Sequence, residues 1–172
     1  HLVPDGPAQW GVLLAWPDRQ TAWADHLADG ETCHLDILAA LLEHEHVLLV
    51  CRNAHTREHI HAQVAARGID AQRLQVVIAD YNDTWARDFG PIAIRNGELT
   101  QLLDYTFTGW GGKFAADKDN ALNQQLPWQL PLETHALVLE GGAIDTDGHR
   151  NLLTPRHRLR TTHPTPDRPC VA

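Results

Sequence analysis

His46-Val47-Leu48-Leu49-Val50-Cys51, the polar run from Asn53 to Gly68, and Leu74-Gln75-Val76-Val77-Ile78 together decide the fold. The two aliphatic, β-branched runs read as buried strands. Between them Asn53 can cap a helix that continues through Arg67, and Gly68 supplies the φ > 0 that closes a helix C-terminus. Upstream, Trp10-Gly11-Val12-Leu13-Leu14-Ala15-Trp16 is a third apolar run, stopped by Pro17, and residues 32–44 place Leu35, Leu38, Ala39 and Leu42 at helical spacing. Strand, helix, strand, helix, strand is an α/β order. Downstream the texture changes. Pro91 to Arg95 and Leu99 to Leu103 flank Asn96-Gly97, a strong hairpin signal. Residues 117–126 read as a helix ended by Pro127, residues 136–140 as a strand, and Ala143-Ile144 with Asn151 to Leu153 as a second hairpin around Asp147-Gly148. Hairpin, helix and strand make a unit of roughly 50 residues, and the earlier half is expected to repeat it less tidily.

The 172 residues carry 14 Lys+Arg, 22 Asp+Glu and 43% hydrophobic residues. This suits one domain with a real core and is too apolar for a disordered chain. A net charge of −8 argues against a nucleic-acid partner, which needs a basic face. No run approaches the ~20 apolar residues of a membrane span, so no membrane partner is expected. Cys33, Cys51 and Cys170 are odd in number and widely spaced, which favours free thiols in a reducing, cytoplasmic setting over a disulfide scaffold. From residue 155 the apolar pattern stops and Arg156, Arg158, Arg160 and Arg168 mix with prolines. The expected division is therefore a folded domain over residues 1–154 and an unpacked tail over residues 155–172.

Three segments can carry chemistry. The first is Asp80-Tyr81-Asn82-Asp83-Thr84-Trp85-Ala86-Arg87-Asp88-Phe89-Gly90-Pro91, between a strand and a hairpin. A carboxylate beside an indole suits a planar cation: the acid accepts paired N–H bonds and the ring offers a face. The plainer reading is an Asp-rich turn that caps its own backbone. The second is Phe107-Thr108-Gly109-Trp110-Gly111-Gly112-Lys113-Phe114, where glycines let backbone approach a ligand but no phosphate-loop spacing fits. Its plainer reading is a flexible turn covered by Trp110. The third is Leu139-Glu140-Gly141-Gly142-Ala143-Ile144. A Glu leaving a buried strand needs a partner, because burying a lone charge is costly; a cation such as Arg87 is the plainer one.

In this order, Trp85-Ala86-Arg87-Asp88-Phe89-Gly90-Pro91, Trp110-Gly111-Gly112-Lys113-Phe114 and Glu140-Gly141-Gly142 resemble the agmatine deiminase and bacterial peptidyl-arginine deiminase family. The likeness extends over about residues 9–154. It implies an α/β fold, a partial β/α propeller of ββαβ modules about a pseudo-fivefold axis, with about half of the ring in this chain. It also implies a hydrolase that needs no metal or other cofactor, in which a cysteine thiolate attacks a guanidinium carbon, ammonia leaves and water resolves the amidino-thioether. Agmatine is the first-choice substrate of this small cationic guanidine class, and peptidyl-arginine the second. The product from agmatine, N-carbamoylputrescine, belongs to putrescine and polyamine synthesis. Asp88 matches the acid that holds the guanidinium. Glu140 matches the one that orients the acid/base His. Trp85 and Trp110 match walls of the substrate channel.

The departures are equally specific. The family's His-x-Asp motif, downstream of the Glu, and its late nucleophilic Cys have no match: His163 is followed by Pro164-Thr165, and Cys170 sits in a Pro-rich setting. This chain alone is therefore expected to be inactive, a half-propeller with uncovered flanks that could pair with another copy. A third possibility is His55-Thr56-Arg57-Glu58-His59, the H-x-x-E-H pattern of a zinc peptidase. Its two histidines lie at i, i+4 on a predicted helix, with no third ligand identifiable.

Overall fold

The computed structural model describes residues 2–3, 10–148 and 151–155. Strands β1 (Gly11–Ala15), β2 (His46–Cys51) and β3 (Leu74–Ile78) form a parallel sheet in that order. They are joined by α1 (Leu27–Leu42) and α2 (Ala54–Ala66). Leu14 pairs with Leu49 and Leu49 with Val76; one residue on, Ala15 pairs with Val50 and Val50 with Val77. Since alternate strand residues face opposite ways, these two rows belong to opposite faces. The first, with Val47 and Cys51, packs on Leu35, Leu38 and Leu42 of α1 and on Ile60 and Val64 of α2. Both helices therefore cover one face, as two successive right-handed crossovers require. The second row, with Leu48, joins a separate cluster that includes Tyr81, Phe89, Phe107, Leu122 and Leu126.

That second cluster is the seam with the next unit. One helical turn, α3 (Ala86–Phe89), leads into β4 (Ile92–Asn96), which pairs antiparallel with β5 (Leu99–Thr106). Gly97 takes φ 63° at the tip, the left-handed geometry that an Asn-Gly hairpin turn needs. The chain then passes through the turn α4 (Gly109–Gly112) and α5 (Asp117–Leu122) to β6 (Leu132–Val138), parallel to β5. This is a complete ββαβ unit. A two-residue pair, β7 (Asp145–Thr146) with β8 (Leu152–Leu153), follows. Among the described residues no helix is long and apolar enough to cross a membrane.

The first unit departs from the expected repeat. It is βαβαβ and parallel throughout, because β1 is joined to β2 by a 16-residue helix and not by a tight turn. Several boundaries also differ. Helix α1 starts five residues before residue 32. Gly30 lies inside it because a Cβ there would sit 2.8 Å from the Trp23 ring, so the glycine marks a close contact and not a helix start. The helix expected over residues 117–126 ends at Leu122 and tightens into a 3₁₀ turn over Asn123–Gln125. The strand expected over residues 136–140 begins at Leu132 and stops at Val138, leaving Glu140 just beyond it. The second hairpin pairs Asp145 and Thr146, not Ala143 and Ile144, with Leu153 and Leu152. Residues 156–172, with Cys170 and His163, lie outside the described residues, as do residues 149–150.

Candidate active site

The segment that enters the site is anchored on three sides before it reaches Trp85. Tyr81 is fully buried and its hydroxyl donates to the Trp16 carbonyl at 2.6 Å; burial pushes its phenol far above the usual range. The Arg52 guanidinium lies 4.3 Å from the Tyr81 ring centroid and donates to Asp18 Oδ1 at 3.1 Å and Asp80 Oδ1 at 3.2 Å. Asn82 Oδ1 accepts from the Lys118 and Asp119 amides at 2.8 and 3.0 Å, tying the loop to α5. Asp83 Oδ2 accepts from the Ala22 amide at 3.0 Å, and Trp23 Nε1 donates to Thr84 Oγ1 at 3.0 Å. For Asp80 and Asp83, then, the plainer reading of the Asp-rich segment holds: they brace backbone and cations of the frame.

Asp88 is used differently. It sits on the single turn α3, whose Asp88 and Gly90 amides donate to Trp85 and Ala86 carbonyls at 2.9 and 2.8 Å. Its half-buried carboxyl accepts, through Oδ1, the Gly142 amide at 3.2 Å. The two turns meet so closely that a Cβ at Gly141 would lie 2.2 Å from the Arg87 carbonyl oxygen, and one at Gly142 would lie 2.3 Å from Asp88 Oδ1. This contact requires Gly-Gly. Glu140 precedes it in extended backbone at φ −98°, ψ 131°, and is 2% exposed. The sequence motifs of Asp88 and Glu140, 52 positions apart in the numbering, thus become neighbouring turns.

The two tryptophans meet at the same place. The Trp85 and Trp110 rings are edge-to-face, with centroids 5.2 Å apart and planes at 85°. Trp85 is 45% exposed. Trp110 is enclosed further by Phe107 and Phe114 at 5.3 and 5.6 Å. Its backbone is left-handed, φ 58° and ψ 50°, between Gly109, Gly111 and Gly112 at φ 60°, 82° and 84°. Segment Gly109–Gly112 is therefore a left-handed turn with its tryptophan packed, and not the flexible turn of the plainer reading. Left-handed geometry costs an L-residue about 1–2 kcal/mol, offset here by aromatic packing of the indole. Such strain gathers at functional sites. A half-buried carboxyl and an exposed indole on one short turn can take a flat cation, one group accepting N–H bonds and the other offering a π face.

The sequence of residues 1–168 matches the family model of the Porphyromonas-type peptidyl-arginine deiminases. The chain belongs to that family. It is 31% identical to the agmatine deiminase of Stutzerimonas stutzeri strain A1501 over 93% of this chain and 45% of that protein. In structure it resembles a C. jejuni agmatine deiminase solved with substrate bound, at TM-score 0.79 and 29% identity over 89% of this chain and 44% of that one. It also resembles another structure of C. jejuni agmatine deiminase, at TM-score 0.76 and 26% identity over 91% and 45%. The chain thus spans about half the length of the relatives it matches. With its ββαβ unit and the unit before it, this deiminase-family chain is a partial β/α propeller.

Neither described thiol belongs to this cluster. Cys51 is buried on the helix-covered face of the first sheet, where burial pushes its thiol up and makes it a poor nucleophile. Cys33 is exposed on α1. The H-x-x-E-H string does not assemble a metal centre: His59 Nε2 faces Glu31 Oε2 of α1 at 3.3 Å, and among the described residues no group of three or more His, Cys, Asp or Glu could hold a metal. The sequence reading missed the support beneath α3. Asn123, fully buried, donates from Nδ2 to the Phe89 carbonyl at 2.7 Å and to Asp104 Oδ1 at 2.8 Å. No local pattern announces it, because its acceptors lie 34 and 19 positions away.

Proposed function

We propose that the chain forms the guanidinium-binding portion of an agmatine deiminase-type hydrolase, which converts agmatine and water to N-carbamoylputrescine and ammonia. Asp88 accepts N–H bonds from the guanidinium and draws its positive charge to the turn. Trp85 offers the flat cation its exposed face, and Trp110, packed edge-to-face on it, backs that wall. Glu140 orients the imidazole that serves as acid and base. The family resemblance supplies the covalent steps: a thiolate adds to the guanidinium carbon, the C–N bond to the departing nitrogen breaks as that nitrogen gains a proton and leaves as ammonia, and water then cleaves the C–S bond. In this sequence no His-x-Asp follows Glu140, so on this reading the chain alone is expected to turn over no substrate.

One observation supports the reading most: the Asp88 carboxyl is steered by the Gly142 amide at 3.2 Å, on the same short turn that Trp85 caps. The Gly142 amide orients this carboxyl without neutralising its charge, and Trp85 on the same turn is 45% exposed. Calorimetric titration with agmatine tests it. Asp88→Asn should weaken binding at least about tenfold, since a hydrogen bond to a charged group is worth about 1.5–3 kcal/mol. Unchanged affinity would overturn the assignment. A peptide with an internal arginine, run in parallel, separates the two substrate classes: tighter binding of the peptide would replace agmatine with peptidyl-arginine.

A further inference from the structure

The turn that carries Asp88 is only one helical turn long, too short to hold its own geometry. Its far end is gripped from below. The Asn123 side chain places both N–H bonds of one nitrogen, one on the Phe89 carbonyl at 2.7 Å and one on Asp104 Oδ1 at 2.8 Å. Asp104 is itself buried in the middle of β5, and its Oδ2 accepts from Thr134 Oγ1 on β6 at 3.3 Å. Trp128 Nε1 donates to the Asn123 backbone carbonyl at 2.7 Å, fixing the residue along the chain. A continuous hydrogen-bonded path thus runs from two neighbouring strands, through one amide, to the residue after Asp88.

The amide is a costly choice for this place. Asn123 Oδ1 is buried with no hydrogen-bond partner among the described residues, a loss that an aliphatic side chain would avoid. What a Leu could not supply is the pair of donors. We infer that Asn123, held by Asp104, is a positioning residue: it fixes the Phe89 carbonyl and so sets where the Asp88 carboxyl meets the Gly142 amide. It touches no reacting group. The inference rests on the reading of Asp88 as the guanidinium acid for its functional meaning, but not for its geometry.

Amide hydrogen exchange followed by NMR reads that geometry directly. Gly142 is exposed and its amide is bonded to Asp88 Oδ1, so its protection reports that bond. The Gly90 amide reports α3, and the amides of Val47 to Val50 serve as an internal reference on another sheet. In Asn123→Leu and Asn123→Ala the Phe89 carbonyl loses its donor. Exchange at Gly90 and Gly142 should rise at least about tenfold, with the reference amides unchanged. Asp104→Leu removes the acceptor that holds Asn123 and should raise exchange at both sites at least about threefold. Equal loss at site and reference amides would make Asn123 an ordinary core residue and overturn the inference. So would full protection at Gly142 in Asn123→Leu, or in Asp104→Leu. If Asn123→Leu fails to fold, Asn123→Ala, which removes the amide without adding bulk, carries the test under the same criteria. Agmatine titration of the same samples is the separate arm. A wild-type chain that ignores agmatine, while the exchange pattern holds, would sink the guanidine reading and leave the positioning role standing.

Discussion

Asp119 is 1% exposed, at the start of α5, and its carboxyl accepts the Asn82 and Asp83 amides at 2.7 and 3.5 Å. Those bonds and Arg52 favour the ionised form, but burial outweighs them and, with Asp83 nearby, lifts the carboxyl from 3.8 to about 6. Between these values the folded chain holds a proton that the unfolded chain has released. The stability this confers is present at acidic pH and is lost as pH rises through about 6. A displacement of some two units corresponds to roughly 3 kcal/mol. Asp119→Asn removes the titration, so urea unfolding from pH 4 to 7 should tilt in favour of the variant by up to that amount; parallel curves for both proteins would refute it. Asp119 also shows where residue-level legibility ends. Asp88 and Glu140 stand out as candidates in the sequence because each comes with local punctuation, an indole three residues before one and two glycines after the other. Asp119 and Asn123 sit in an unremarkable polar helix, and what they do depends on backbone from distant segments.

At the level of elements, the strands β2 and β3 and the helix α2 were legible almost to the residue, because burial, cap and stop coincide there. Asn53 Oδ1 accepts the Thr56 amide at 2.9 Å and Gly68 takes φ 67°, as the sequence predicts. Local rules failed where a tertiary contact overrode them, at Gly30 under the Trp23 ring and in the left-handed turn Gly109–Gly112. No propensity predicts four successive left-handed residues with a tryptophan among them; the turn exists because Phe107 and Phe114 close over the indole. It can be tested against its own glycines. A Cβ at Gly111 would meet nothing within 4 Å, whereas one at Gly109 would lie 2.2 Å from the Phe114 carbonyl oxygen, and both positions have positive φ. Gly111→Ala should therefore cost only about 1 kcal/mol, the penalty for left-handed backbone. Gly109→Ala should cost at least about 3 kcal/mol, within the range where backbone strain and overpacking combine, and should shift tryptophan fluorescence as Trp110 leaves its aromatic pocket. Equal costs for the two would mean that the turn is not wedged against Phe114.

Across the whole molecule, the same packing step is made once and left open once. The non-helical face of the first sheet, with Ala15, Leu48 and Val50, is covered by residues of the following unit, Phe107, Leu122 and Leu126. In the second sheet Asp104 faces Asn123 beyond α5, and the pairing register puts Ile92, Ile94, Leu103 and Tyr105 on the opposite face. That face is the counterpart of the covered one, and no described element packs over it: its residues are only partly buried. Near the end of the described chain Leu137, Leu152 and Leu153 are 47%, 51% and 67% exposed. Apolar surface of this kind is normally covered, and the solved relatives, of which this chain spans 44% and 45%, have further chain with which to cover it. A second copy is the cover available to the chain on its own. We therefore expect self-association, visible by light scattering as a species of twice the chain mass. Its melting temperature should rise by about 2 °C per tenfold increase in concentration, because only the folded form associates. A monomer that melts at a high temperature independent of concentration would mean that Ile92, Ile94, Leu103 and Tyr105 tolerate water unaided, and the equivalence drawn between the two sheet faces would fail.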